Sequence, residues 1–347
     1  MSDTRELLVQ ASQRVFADHA TVVVHDESVV VDVALWSALT VAGVSTALHR
    51  DMAGEVGLAD AAALVRPAAY HAAAVPLAET LIAQWLSMDM EAEMPAGPMT
   101  FITSPIEGYR ARGGWRIKGQ GSRIPWLRAA SHVVLPLWVD GRLFLAMVAN
   151  DAPERGRGHN LAGEPRDDLS LDTITADVWP AGAIEVSTIG ALGAAFRSIQ
   201  IAGAIDRVLE LTVTYVRDRV QFGKPLAKLQ AVQQLCATLA GHAAAATASA
   251  DLALEALDEG VDRTKIAAAK TRTGEAAGAA AAIAHQLHGA MGVSREHALH
   301  RYTRRLWAWR DEYGNEAHWS RWLGRQIANS GVAELWPLIT ESREVTG

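Results

Sequence analysis

The chain has 347 residues, half of them hydrophobic, a formal net charge of -7 and a single cysteine, Cys236. That supplies enough apolar material for a sizeable core in two or three domains, with no call for covalent staples. The acidic balance excludes general attraction to nucleic acid or to an anionic membrane, and one cysteine excludes a disulfide framework or a cysteine-built zinc site, leaving small molecules and other subunits as the expected partners.

The first ten residues, MSDTRELLVQ, carry charge throughout and lack the apolar stretch of a signal peptide. No later window reads as apolar enough to span a bilayer, so the expectation is a cytoplasmic protein without a membrane segment. Residues 1–96 read as a helical domain: VDVALWSALTVAG (31–43) and HAAAVPLAETLIAQWL (71–86) are alanine-rich and amphipathic, punctuated by Gly43 and Pro76. The only β-branched run among them is VVVHDESVVV (22–31).

The texture changes after MPAGPM (94–99). Residues 97–185 read as a small β domain, because YRARGGWRIKGQGSRI (109–124) and SHVVLPLWVDGRLFLAMV (131–148) alternate short β-branched runs with Gly-Gly, Gly-Gln-Gly and Asp-Gly turns. Within it, NDAPERGRGHNLAGEPRDDL (150–169) is polar and rich in turn residues, which suits a functional or subunit-contacting loop as well as a solvated linker.

Residues 186–347 return to helical periodicity. Ile201, Ile205, Val208, Leu211 and Tyr215 line one face, Gly223 and Pro225 end that helix, and 229–257 and 262–288 read as two long helices joined at DEGVD. The fold class is therefore α+β: helical domain, β domain, helical bundle.

Two segments carry a resemblance. YVRDRVQFGKPLAKLQAVQQLCATLA (215–240) resembles the signature Arg-x-Gln-Phe-Gly-x-Pro of the acyl-coenzyme A dehydrogenase family. HQLHGAMGVSREHALHRYTRR (285–305) is similar to that family's Gln-x-x-Gly-Gly-x-Gly segment, with Ala290 in place of its second glycine. The family's order, helices then β domain then four-helix bundle, is the one read above. Chemically, Arg219 offers a planar fork of donors suited to a pyrophosphate, and Gly223 permits close backbone approach. The resemblance implies that Arg219, Gln221, Phe222, Gly223, Gln286, Gly289 and Gly292 meet the adenosine diphosphate half of an FAD held mainly by a neighbouring subunit. Without the second segment, Arg219 reads as a helix-end cation, Gly223 as a C-cap and His288-Gly289 as a plain helix end.

The departures matter as much. The family's proton-abstracting glutamate falls at Tyr313, followed by Gly314, and its other known position falls near Gly193, in a segment GALGAAFRSIQ (190–200) without a carboxylate. Glu312 lies one residue away, but one helical step turns a side chain by about 100 degrees, so the expectation is a solvated Asp311-Glu312 pair rather than a displaced base. In GQGSRIPWL (119–127), Arg123 and Pro125 stand where the family has Trp and Thr or Ser against the flavin ring. Proline has no donor to give there, and Ser122 and Trp126 read as ordinary strand and turn residues. The earlier loop, TSPIEGYRARGG (103–114), is shortened.

This division resembles the shortened subunit of bacterial steroid side-chain acyl-coenzyme A dehydrogenases, which pair with a longer catalytic subunit in heterotetramers. VPLAETL (75–81) and NLAGEPRDDL (160–169) look like that subgroup, although Glu79 and Arg166 also suit purely structural roles. Two other readings compete: a complete homomeric enzyme acting on acyl-coenzyme A with Glu312 as base, and a flavin-free scaffold. His285 with His288 and His297 with His300 lack the carboxylates a zinc site wants, and Trp307, Trp309, Trp319 and Trp322 suit an interface better than a substrate wall.

Overall fold

The structure is a computed structural model that describes residues 3–19, 29–52, 55–112, 114–151, 156–258 and 260–330. Most of the run 22–31 lies outside these residues.

Five helices open the chain: α1 (Asp3–His19), α2 (Val33–Val41), α3 (Leu58–Ala63), α4 (Val65–Tyr70) and α5 (Leu77–Leu86). Asp32 caps α2 by accepting the Leu35 N–H, Gly43 follows it at φ +74, and Pro76 precedes α5, where its fixed φ suits a helix start.

Seven strands follow: β1 (Met99–Phe101), β2 (Ile106–Ala111), β3 (Gly114–Pro125), β4 (His132–Val139), β5 (Arg142–Ala149), β6 (Arg166–Ala176) and β7 (Val178–Pro180). They form one sheet in the order β6-β3-β2-β4-β5-β7, with β1 added parallel to β4. The Asp-Gly turn behaves as its residues require: Asp140 and Gly141 both sit at positive φ between β4 and β5. The segment 103–114, read from sequence as a loop, is instead mostly β2, paired with β3 from Glu107–Lys118 to Ala111–Gly114. Alternating residues bury Ile106, Ile117, Leu135, Leu137, Leu169 and Leu171 in a core of their own.

The described residues that follow are helical apart from one small hairpin and the connecting turns: α6 (Val186–Asp218), β8 (Val220–Gln221), β9 (Lys224–Pro225), α7 (Gln230–Asp258), α8 (Arg263–His288), α9 (Ala290–Val293), α10 (Leu299–Asp311) and α11 (Glu316–Ser330). Ala246, Ala250 and Ala253 of α7 and Ala276, Ala280 and Ala284 of α8 are fully buried, so small side chains bring the long helices into close contact. Gly203 of α6 lies so near α4 that a Cβ there would stand 2.2 Å from the Arg66 carbonyl.

Two sequence expectations are corrected here. α6 is long and apolar enough to cross a membrane, contrary to the reading that no such stretch exists, but 83% of its apolar window is buried inside the protein: it is the central helix of the core. It also ends at Asp218, not at Gly223. Arg219 takes an extended conformation (φ -75, ψ 116), and Phe222 and Gly223 become the two positive-φ residues of the turn joining β8 to β9.

Candidate functional site

The nucleotide-motif residues fall into two segments that one small core holds together. Val216, Leu226 and Leu287 are buried against one another, with Tyr215, Leu235 and the part-buried Cys236 around them, so the hairpin after α6 packs on the end of α8. Arg219, Gln221, Phe222 and Gly223 are all exposed on this hairpin, Phe222 with 85% of its surface free.

On the second segment Gln286 is exposed, while α8 ends at His288 and Gly289 follows at φ 58, ψ -140 with nothing near the place of a Cβ. An L side chain rarely adopts that conformation, so glycine is required there by the backbone alone. Gly292 is required by space: its Cβ would lie 2.9 Å from His288 Cβ. Ala290 opens the short helix α9, where a Cβ is accommodated.

The two positions at which the resemblance seeks a base lie together. Tyr313 sits at φ +56 and lays its ring directly over Gly193, where a Cβ would stand 2.5 Å from the ring atoms. The two positions at which the resemblance seeks a glutamate therefore meet at one point in space, occupied by a phenol ring stacked on Phe101 (6.0 Å, 12°). Burial pushes the Tyr313 phenol up from its ordinary value, so it is protonated at neutral pH and is no base.

Glu312 is not solvated, which corrects the expectation for it. Its side chain is only 16% exposed; Oε1 accepts from Arg166 Nε (2.9 Å), whose Nη2 stands 2.6 Å away, and from Asn160 Nδ2 (3.0 Å), and Oε2 accepts from Arg197 Nε (2.7 Å). Burial alone would raise this carboxyl, but the two guanidinium groups outweigh it and hold it at about 2. Asp311 alone is exposed.

The pairing continues in both directions. Arg197 Nη2 reaches Glu79 Oε1 of α5 at 2.6 Å, Arg166 Nη2 reaches Glu164 Oε2 at 3.2 Å, and Arg305 Nε reaches Glu164 Oε1 at 3.2 Å. Trp309 Nε1 also donates to Glu164 Oε2 (2.9 Å), and Arg197 lies over the rings of Trp309 and Tyr313. Three carboxylates and three arginines thus form one ladder, Glu79–Arg197–Glu312–Arg166–Glu164–Arg305. The segment 156–169 is therefore more than a solvated linker: Asn160, Glu164, Arg166 and Asp167 are buried, with Asp167 held by Arg128, while Gly156, Arg157, His159, Leu161 and Asp168 stay exposed.

The segment that the resemblance sets against a flavin ring makes only contacts within the chain. Ser122 lies exposed in a bulge of β3, Arg123 N–H donates to Asp168 (2.9 Å), the Pro125 carbonyl accepts from Thr100 Oγ1 (2.7 Å), and Trp126 is buried. Of the tryptophans, Trp309 and Trp319 pack the core, Trp322 lies under Arg263, and Trp307 stacks on His285 at the surface. No group of three or more His, Cys, Asp or Glu suited to a metal occurs among the described residues.

Residues 191–316 match the family described as acyl-CoA dehydrogenase, C-terminal domain. The acyl-CoA dehydrogenase IpdE2 of Mycobacterium tuberculosis is 40% identical over 103 residues, which are 30% of this chain and 31% of that protein; the match spans about a third of its length. Across nearly the whole chain the fold is shared with the ChsE4-ChsE5 complex from Mycobacterium tuberculosis (TM-score 0.80, 18% identity, 96% of this chain and 99% of that one). It is equally shared with the Tcur3481-Tcur3483 steroid ACAD (TM-score 0.82, 22% identity, 94% and 98%).

Proposed function

From an acyl-CoA dehydrogenase fold, with that family's C-terminal domain over residues 191–316, we propose that this chain is the non-catalytic subunit of a heteromeric, FAD-dependent acyl-CoA dehydrogenase. Its longer partner supplies the base and the seat of the flavin ring; this chain lends the adenosine diphosphate half of the cofactor site. The substrate is a bulky acyl-CoA thioester of the steroid side-chain type, as the heteromeric structural neighbours suggest.

The observation that carries the reading is Tyr313, seated on Gly193 where a carboxylate is needed, beside a Glu312 with both oxygens engaged. A base must be free to take a proton, and a carboxylate held at about 2 between two arginines is neither free nor basic. This weighs against a homomeric enzyme using Glu312.

The nucleotide-facing residues fit their assigned group. Arg219 is an exposed planar donor beside a cleft of about 470 Å³, and Gly289 leaves its backbone open to a close neighbour. Arg219, Gln221 and Gln286 would bind and orient the phosphates and adenosine of an FAD, which would supply the hydride acceptor; Phe222, Gly223 and Gly289 would shape the surface beneath it, and the buried Gly292 would let that turn close.

Co-expression with a longer relative that carries the glutamate tests this. The complex is expected to hold FAD and desaturate acyl-CoA, the isolated chain to do neither, and Arg219→Ala to lower FAD retention in the complex at least tenfold. Turnover by the isolated chain overturns the proposal, and full FAD content in the Arg219→Ala complex favours a flavin-free scaffold instead.

A further inference from the structure

Three rings join the two nucleotide-facing segments. Tyr215 near the end of α6 stacks on His288 at 4.3 Å and meets His297 edge-on at 5.9 Å, while His288 and His297 lie 4.7 Å apart. Tyr215 Oη donates to the His288 carbonyl (3.3 Å), one of the α8 carbonyls left without a partner inside the helix.

The protonation state of His297 is fixed by its partner. Its Nδ1 accepts the N–H of Leu299, the first residue of α10, at 3.1 Å, so that nitrogen carries no proton. Protonating it removes the acceptor, places a cation at a helix N-terminus where the macrodipole disfavours one, and sets positive charge beside His288.

The surroundings add to this. Arg207 from α6 and Arg219 just beyond its end line the same cleft as Tyr215 and His297, with Glu210 and Asp218 as the opposing carboxylates, Glu210 already paired to Arg207. From α8 comes His285, and from α10 His300, Arg301 and Arg304. Burial, and then His300, holds His297 below its ordinary value, and burial does the same for His288.

We propose that Tyr215, His288 and His297 form an acid-releasable clasp that fixes the Arg219 hairpin against the Gly289–Gly292 turn. Its regulatory meaning rests on the reading of those segments as a nucleotide half-site; the clasp itself does not. Neutral imidazoles hold the rings stacked and α10 capped, and protonation separates them and frees the hairpin.

Hydrogen exchange on the full chain tests the clasp without any cofactor. After correction for intrinsic rates, protection of 215–226 and 286–298 is expected to fall roughly tenfold or more between about pH 7.5 and 5.5. His297→Phe keeps a ring that cannot charge but loses the acceptor, and His297→Gln keeps a neutral acceptor but loses the ring, so both should start from lower protection at about pH 7.5 and show only the smaller acid response that His288 carries. An unchanged acid response in these variants, or none in the wild type, overturns the clasp. If the clasp opens on acidification while the assembled complex retains all its FAD, the half-site reading fails and the clasp stands.

Discussion

Glu312 shows how little a residue's neighbours in sequence say about its charge. Its setting in Trp-Arg-Asp-Glu-Tyr-Gly reads as a solvated end of a helix, and for Asp311 that is right. The arginines that claim Glu312 stand at 166 and 197, far along the chain, and no local pattern announces them. Removing its charge leaves three buried guanidinium groups to share two carboxylates, Glu79 and Glu164, so Glu312→Gln is expected to cost about 3–5 kcal/mol in denaturant unfolding. The pH dependence has a definite sign. The folded carboxyl titrates at about 2 against 4.5 unfolded, so its stabilisation is present above the unfolded value and disappears as pH falls from 4.5 towards 2. At about 1.4 kcal/mol per pKa unit this amounts to about 3 kcal/mol, a component of acid unfolding that should be absent in Glu312→Gln.

At the level of elements, helices and strands followed from periodicity wherever burial was one-sided. The long helices α7 and α8, the Asp-Gly turn and the glycine ending α8 were all legible. The hairpin after α6 was not, because Gly223 signals a reversal without saying whether a helix or a two-residue turn uses it, and an exposed Phe222 at positive φ follows from the two-residue turn and not from any preference of its own. The role of Gly193 was equally hidden: it gives α6 a notch for the Tyr313 ring from the far end of the chain. Gly193→Ala should therefore cost about 1–3 kcal/mol by overpacking, although alanine is the better helix former. In a Tyr313→Ala background the same change should cost close to nothing, and a double-mutant cycle by thermal or denaturant unfolding measures that difference.

Across the whole molecule, the ladder joins the three parts of the chain alongside the apolar core they share: Glu79 comes from the first helices, Glu164 and Arg166 from the strand region, and Arg197, Arg305 and Glu312 from the bundle. Arg197 stands in the middle, and Arg197→Met would leave Glu79 and Glu312 facing one another without it. The slowest-exchanging amides of the sheet and of the bundle are expected to share one opening free energy in the wild type. In Arg197→Met they should diverge, the sheet opening first, as hydrogen exchange would register. The sequence marked Glu79 and Arg166 as worth noticing, but their joint arrangement depends on contacts between residues more than a hundred positions apart, which composition does not encode.

Because the six charges of that ladder cancel, inheritance at these positions is constrained to move in compensated steps. A descendant that loses Glu164 strands Arg305 in the interior and leaves Arg166 to share Glu312 with Arg197, and survives readily only if an arginine changes with it. Among relatives sharing this buried arrangement, acidic and basic members should therefore be kept or lost together, leaving a trace of correlated exchange that can be sought in sequences alone.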